Sequence, residues 1–545
     1  MAALVAAIHG RKRVRAKRLV DARTKSGHDE QLYGMYDMSK FRVFALSIAV
    51  GIVAISAPAL AQKSKDTMRF PFAEPASTLD TYLNPGTFSN VWGPSVYDHL
   101  LGFDGKTEKF VGHLAKSWSQ PNPTTYEYEL HEDITWHDGQ KFDADDVVYT
   151  LNYLIDPKVN LRYKAYWNWI DKVEKLGSHK LRITSKHPVP DGMMWMVFRT
   201  PIYPEHIHAT LANKQDFGTK PIGTGPYKFI QFDKNSGLIA QKHAGYISRP
   251  IKPGATIGRV VAEHIPDVGT LVATLLTDKA DVGVDLPADQ AIDLLKSGRF
   301  EVSLSPPAMG YTFLGFPSNG PNKALADVRV RTAIAKAIDR KALVKVQYGD
   351  LTGDMQPVDA LCAKEQLGCG YTKLPPAFDP AGAKKLLAEA GYADGFDLVI
   401  SCFPTNATQA TAMSGMLRAV GIRATVRPHP IAQRVQLLSD AKVEAGLYNW
   451  AASTIFEVSP QIVRHFQSNE YDDPGLTKMA EATLTMMDDA ARRKEVSKVF
   501  DESTEKAYAF PMVPTRASYT HTKEIRLTAT DLRATEINPH EFGWK

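Results

Sequence analysis

The chain has 545 residues, 44% hydrophobic and 23% charged, which excludes a disordered or fibrous protein and leaves material for two or three globular domains. Its formal net charge of +5 is a property of the leader: residues 1–61 hold 10 of the 65 Lys+Arg and 4 of the 60 Asp+Glu, and the remaining 55 and 56 give −1. A nucleic-acid binder needs concentrated positive charge, and the body of the chain has none to offer.

The leader divides in two. Residues 1–37 carry the basic run Arg11-Lys12-Arg13-Val14-Arg15-Ala16-Lys17-Arg18. From Met38 a new pattern starts: Lys40 and Arg42, then an uncharged stretch from Val43 to Ala61 that ends Ala59-Leu60-Ala61 before Gln62. A positive start, an apolar middle and a small-x-small end are the order of a secretory signal peptide. The alternative is a membrane anchor, since about 19 apolar residues nearly span a bilayer. Pro58 and the Ala-x-Ala end favour cleavage after Ala61, and Gln62 in place of Cys argues against a lipoprotein. The expectation is a periplasmic protein whose true start is Met38 or Met35. In that oxidising compartment a Cys362–Cys369 disulfide is expected, with free thiols as the alternative. No Cys/His spacing suits zinc, and neither metal nor cofactor is expected.

In the body, Tyr126, Tyr128 and Leu130 alternate with polar residues and predict a strand, and Ile134 and Trp136 a second short one. Asp138-Gly139 marks a turn that takes His137 and Asp138 away from any catalytic role. Asp143 caps a helix that has Asp145 and Asp146 in its first turn and Val147, Val148, Leu151 and Leu154 on its apolar face. Gly223-Thr224-Gly225-Pro226 is a turn before a strand from Tyr227. It lacks dinucleotide or Walker spacing, and Pro226 removes a backbone donor. Leu271, Leu275 and Leu276 have helical spacing, Asp281 to Val284 reads as a buried strand, and a helix after Pro287 turns Ile292 and Leu295 inward. Tyr311 to Phe316 is an apolar strand. Asp327 caps a helix with Val330, Ile334, Ala337 and Ile338 on one face. Asp379-Pro380 opens another that buries Leu386, Leu387 and Ala390 and stops at Gly391. Strands follow at Asp397 to Cys402 and after Gly421-Ile422. Alternating helices and strands imply an α/β fold.

Six blocks in this order resemble the oligopeptide- and dipeptide-binding family of bacterial extracellular solute-binding proteins, family 5. They are Val96-Tyr97-Asp98-His99-Leu100-Leu101; Leu114-Ala115-Lys116-Ser117-Trp118; Trp136-His137-Asp138-Gly139 with Phe142 to Val147; Pro221 to Tyr227; Val328 to Ala333 with Ala337-Ile338-Asp339-Arg340; and Phe378-Asp379-Pro380 through Glu389-Ala390-Gly391-Tyr392. The resemblance covers nearly all of the chain from Thr67. It implies a two-lobed periplasmic-binding-protein fold, type II-like, with an extra subdomain in the first lobe and two hinge strands. The corresponding limits are 1–61 for the leader, 62–308 for lobe one with its inserted subdomain at about 105–200, 309–508 for lobe two, and 509–545 for a return to lobe one. It also implies a monomer that passes its ligand to a membrane ABC permease with its ATPase.

In peptide-binding members the ligand backbone pairs as an added strand. By the resemblance, one such segment falls at Gly86-Thr87-Phe88-Ser89-Asn90 and the other at Tyr448-Asn449-Trp450-Ala451-Ala452-Ser453. Peptide binders often place an Asp three residues after that Trp, to hold the ligand's ammonium. Here the position is Ser453, and a hydroxyl supplies only a dipole. Either Glu457 substitutes, or the ligand lacks a free amino terminus and is an oligosaccharide, an opine-like compound or a metal chelate. Tyr166, Trp167 and Trp169 form an aromatic cluster read as core packing, with sugar stacking as the alternative. The remote reading is an exported serine hydrolase, on Ser439-Asp440-Ala441-Lys442 and Ser503-Thr504-Glu505-Lys506, but its partner motifs are missing.

Overall fold

The computed structural model describes residues 66–72, 78–83, 87–104, 107, 109–233, 237–305, 310–363, 366–450, 457–467, 473–528 and 538–545. Ala451 and Ser453 lie outside them. Three sheets belong to the first lobe. One has the order Thr67–Arg69, Arg259–Glu263, Gly237–Lys242, Tyr227–Asp233. A second places Ser518–Thr522 between Val282–Val284 and Phe300–Leu304. The third, in the inserted part, runs Ala115–Asn122, Thr125–Leu130, Lys180–Ser185, Ile170–Gly177. The second lobe is built on five strands in the order Arg423–Pro428, Asp397–Cys402, Ala445–Trp450, Gly310–Gly315, Ala509–Thr515.

The inserted sheet forms because Tyr126, Tyr128 and Leu130 share one buried face. The next segment departs from the sequence reading. Ile134 to Trp136 makes a single bridge, Thr135 to Lys141, because the chain turns back at Gly139 with φ +92° before a ladder can grow. Asp143 then closes a capping box with Asp146 on the helix Ala144–Ile155. The Asp146 carboxylate also accepts from Trp136 Nε1 at 3.1 Å and Glu205 N at 2.9 Å, so one cap ties three segments together.

The helix Ala288–Lys296 buries Ala291 and Leu294, not Ile292 and Leu295; Leu295 is 40% exposed. Leu276 likewise faces out at the end of Val268–Leu276. Both helices are short and cover only a small satellite core, so the buried stripe is one residue wide and the phase is easily misread. The second lobe has a larger core, in which Val330, Ile334, Leu387, Ile400, Leu447 and Phe510 meet.

The chain crosses between lobes twice, and the two crossings lie side by side. Phe300–Leu304 pairs antiparallel with Ser518–Thr522 on one side, and Gly310–Gly315 with Ala509–Thr515 on the other. Between them Ser305 N donates to Ala517 O at 2.8 Å, Ala517 N to Ser305 Oγ at 3.0 Å, and Arg516 Nε to Ser305 O at 2.5 Å. Ala509–Thr515 is still an edge strand of the second sheet, and the return to lobe one comes at Arg516-Ala517.

The block Tyr97-Asp98-His99 buries an ion pair. Asp98 Oδ1 lies 2.5 Å from Lys252 Nζ and 3.3 Å from His113 Nε2, and Asp98 Oδ2 accepts from Thr224 Oγ1 at 2.9 Å. Burial works to raise the Asp98 carboxyl, but Lys252 and His113 overcome it and hold it well below the usual carboxylate range. Removing one member of a buried pair strands the other charge. Lys252→Met is expected to lower unfolding free energy by about 3–5 kcal/mol, read from urea denaturation. A loss under about 1 kcal/mol, the size of an exposed pair, would show that the charges are not desolvated.

Candidate functional site

Three strands of the second sheet run parallel: Asp397–Cys402 pairs with Arg423–Pro428 on one side and Ala445–Trp450 on the other. The chain leaves Asp397–Cys402, returns on one flank through the helix Ala407–Arg418, then on the opposite flank through Ile431–Ser439. Strand order reverses at Asp397–Cys402. In open α/β sheets, solutes bind outside the carboxyl ends of the strands at such a switch point.

Tyr448, Asn449 and Trp450 end one of these strands, opposite Phe313, Thr312 and Tyr311. Tyr448 is buried against Phe313, ring centroids 5.2 Å apart. Asn449 faces the other way, is exposed, and accepts at Oδ1 from Asn406 Nδ2 at 2.5 Å. The Arg434 guanidinium lies over two rings, its central carbon 4.0 Å from the Tyr448 centroid and 4.7 Å from that of Phe403.

The other expected segment is not a strand. Thr87 to Asn90 opens the helix Thr87–Val96. Phe88 is 4% exposed and packs against Phe72, Phe232 and Trp92 at 5.4, 5.7 and 6.3 Å, so its ring is core. Ser89 is buried and Asn90 is exposed. Apolar periodicity is ambiguous over five residues, and the core-facing turn prevailed. Trp167 donates to Thr200 Oγ1 at 3.0 Å and Trp169 to Tyr166 O at 2.9 Å, which makes both packing residues.

Glu457 is 1% exposed. Its Oε1 lies 3.1 Å from Arg492 Nε, itself 1% exposed, and its Oε2 accepts from Ser459 N at 2.7 Å. The disulfide loop closes over it. Cys362 and Cys369 are bonded, Leu367 bridges Glu457, and Val458 N donates to Leu367 O at 2.9 Å. Gly368 has φ +80°, and a Cβ there would stand 2.5 Å from Glu457 Oε1, so only glycine suits both the turn and the approach.

Asp191, before the helix Gly192–Phe198 of the first lobe, is buried and close enough to feel Arg492. Burial, then the Asp191 charge, push Glu457 up to about 7; burial likewise brings Asp191 to about 6. Two buried carboxylates thus lie near one guanidinium, which also pairs with the exposed carboxylate of Asp489. Sequence reading missed Asp191 and Arg492. Asp191-Gly192 before an apolar run is a helix-start signal, but Arg492 sits in Arg492-Arg493-Lys494, which reads as a solvated face.

The Ser-x-x-Lys matches assemble no nucleophile. Lys442 pairs with Asp440 at 3.1 Å, and Lys506 with Asp473 at 2.5 Å and Glu502 at 2.7 Å. The hydrogen bonds that Lys506 donates to Asp473 and Glu502 hold it charged, the opposite of what a general base requires.

A family model described as "Bacterial extracellular solute-binding proteins, family 5 Middle" matches residues 109–472. The chain belongs to family 5 of the bacterial extracellular solute-binding proteins. Members of this family serve ABC importers by binding a small solute. Among curated relatives, the glutathione-binding protein GsiB of Pectobacterium atrosepticum is 24% identical over 481 residues, 85% of this chain and 90% of that one. GsiB of Escherichia coli K12 is 29% identical over 419 residues, covering 75% and 79%. Among solved structures, the periplasmic binding protein DppA of Helicobacter pylori in complex with peptide STSA has a TM-score of 0.71 at 21% identity, covering 88% of this chain and 98% of that one. NikA of Brucella suis in complex with Fe(III)-EDTA has a TM-score of 0.77 at 20% identity, covering 88% and 100%. Both share the two-lobed fold. No helix among the described residues is long and apolar enough to cross a membrane.

Both raised carboxyls carry protons in the fold that the unfolded chain, with values near 4.5 and 3.8, has already lost. Their contribution to stability is therefore full at low pH and falls as pH rises from about 4 through 7. Glu457→Gln mimics the protonated form. It is expected to gain on the wild type in melting temperature between pH 5 and pH 8. Parallel pH profiles for the two would show that Glu457 is ionised in the native state throughout.

Proposed function

We propose that this chain is the periplasmic capture component of an ABC importer for short peptides, glutathione-like tripeptides included, and that it makes and breaks no bond in its cargo. The observation that carries this reading is the strand Ala445–Trp450, whose last three residues run beyond its pairing with Asp397–Cys402 at the switch point of the three parallel strands, so that an extended ligand can pair with main chain on that side and meet Asn449. The curated relatives are named for glutathione, and one structural neighbour holds a four-residue peptide.

In this reading the ligand lies along Tyr448-Asn449-Trp450 and onward past Ala451 and Ser453. The first lobe meets it with the exposed Asn90 of the Thr87 to Asn90 turn, while Phe88 and Ser89 only support that turn. With the exposed Asp489 that also pairs with Arg492, Asp191 and Glu457 exceed that guanidinium by two negative charges when all are ionised. They take the place of the missing Asp at Ser453 by attracting the ligand's ammonium. The lobes, 62–308 and 309–508, turn about the paired crossings, and closure is driven by tighter binding to the closed state. The protein works as a monomer and presents the closed form to its permease.

A ligand that binds only the native state stabilises it by about 2.7 kcal/mol at a hundredfold excess over Kd. Glutathione or at least one di- to hexapeptide of a mixed library is expected to raise the melting temperature, and mass spectrometry of the denatured protein to release a peptide. A protein insensitive to all of them that releases a sugar or chelate instead would reject peptide capture. The export half of the proposal is checked separately: the mature protein from a periplasmic extract is expected to begin at Gln62. An uncleaved leader on membrane-bound protein would replace the signal peptide with an anchor.

A further inference from the structure

Arg434 stands in the first turn of the helix Ile431–Ser439, just past the carboxyl end of Arg423–Pro428. Phe403 directly follows Asp397–Cys402, and Tyr448 is near the end of Ala445–Trp450. The guanidinium and its two rings thus come one each from the carboxyl ends of the three parallel strands, at the edge where strand order reverses.

Three other arginines of the second lobe that are buried or half-buried are spoken for. Arg492 holds Glu457 at 3.1 Å. Arg331 donates to Leu325 O at 2.7 Å and Arg340 to Val358 O at 2.6 Å. Arg434 has no carboxylate and no carbonyl among the described residues, and its Nε is buried without a hydrogen-bond partner. Resting on aromatic faces offsets part of the cost of drying a guanidinium, about 0.5–2 kcal/mol per contact. It leaves the five N–H donors on the ring's edge unmet, because a π face accepts no in-plane hydrogen bond. A planar cation fixed flat on aromatic rings with its edge free is prearranged for a planar anion that can accept two parallel N–H bonds.

We infer that Arg434 is the anchor for a ligand carboxylate, held in place by Tyr448 and Phe403, and that it makes the protein selective for acid-bearing solutes. The inference rests on the proposed reading that a solute lies along Ala445–Trp450. The helix start beneath Arg434 adds positive potential in the same direction. The carboxylate and the ammonium of a peptide would then be held by different groups, Arg434 for the first and the Asp191–Glu457 pair for the second.

The test compares ligands as well as variants. Wild type, Arg434→Gln and Arg434→Lys are titrated calorimetrically with glutathione and with tri-alanine, each as the free acid and as the C-terminal amide, and with Fe(III)-EDTA as a non-peptide polycarboxylate. The expected result is a loss on the order of a hundredfold for a free-acid peptide on Arg434→Gln, the scale of a desolvated charge pair losing one member. Amidation should cost wild type a comparable factor, a readout that needs no variant to fold, and should cost Arg434→Gln little more. Arg434→Lys should fall between, since it keeps the charge and loses the fork. Equal affinity of wild type for acid and amide would overturn the anchor and leave peptide capture standing. Binding of Fe(III)-EDTA alone, lost in Arg434→Gln, would reject peptides and keep the anchor. A wild type that binds none of the probes would count against both.

Discussion

The structure depends on one constraint: the two connections between lobes are a single antiparallel ladder interrupted in the middle. The same two chain segments pair as Phe300–Leu304 with Ser518–Thr522 in the first lobe and as Gly310–Gly315 with Ala509–Thr515 in the second. At the interruption the backbone bonds of Ser305 and Ala517, with Arg516 on the Ser305 carbonyl, keep the strands in register. A ladder of this kind resists separation, because every pair would have to break, yet a few residues at the break can absorb a change of φ and ψ. Rotation of one body against the other is the motion it leaves available. Ala445–Trp450 is the neighbour of Gly310–Gly315 in the second sheet, so a ligand placed on it, as proposed, lies one strand away from the pivot. Movement there is small, and closure is felt mainly farther out, where the first lobe swings in.

The two buried charge clusters answer to different demands. Asp98 is matched: Lys252, His113 and Thr224 satisfy it, and its carboxyl stays well down although buried. That cluster joins the start of the first lobe to the loop at Lys252 and needs nothing from outside. Asp191, Glu457 and Arg492 are mismatched, with both carboxyls raised because burial is not offset by enough positive charge. A cluster belonging to one rigid core would have little reason to stay unbalanced. One assembled from two lobes has a reason in the proposed reading, where a cation that the lobes enclose completes its charge.

Local chemistry made much of the fold legible. Asp143, Asp327 and Asp379 each announced a helix start, and each accepts backbone N–H groups there. Alternation in Tyr126 to Leu130 and the apolar run at Tyr311 set strands in the right places. Where one residue of phase decided the outcome, as at Leu276 and Leu295, composition could not choose, because the satellite core is small. The site was half legible for a related reason. Tyr448 and Trp450 alternate with Asn449, as the period of a strand requires. Phe88 looked like a ligand contact because it follows a glycine, but four aromatic rings converge on that point from segments far apart in sequence. Arg434 and Arg492 carry no local mark at all. A lone arginine in a helix reads as solvated, and only the tertiary fold shows which one lost its water.

The two kinds of contact available at the strand end imply a division of work. In the proposed reading, main-chain pairing with Tyr448-Asn449-Trp450, beyond the last residue that pairs with Asp397–Cys402, recognises an extended backbone and is indifferent to side chains, so it can supply affinity without choosing a sequence. Charge is different. A guanidinium bedded on Tyr448 and Phe403 and a carboxylate pair buried beside Arg492 cannot slide to meet a ligand of another length, since the groups that hold them belong to the core. The spacing between the positive and negative anchors is therefore fixed in the closed state, and a solute satisfies both only if its own charges stand at that separation. In the proposed reading, the Ser453 position gives up the negative anchor and the Asp191–Glu457 pair takes it over. Selection by length and by terminal charge then follows from where the anchors stand, whatever side chains the cargo carries.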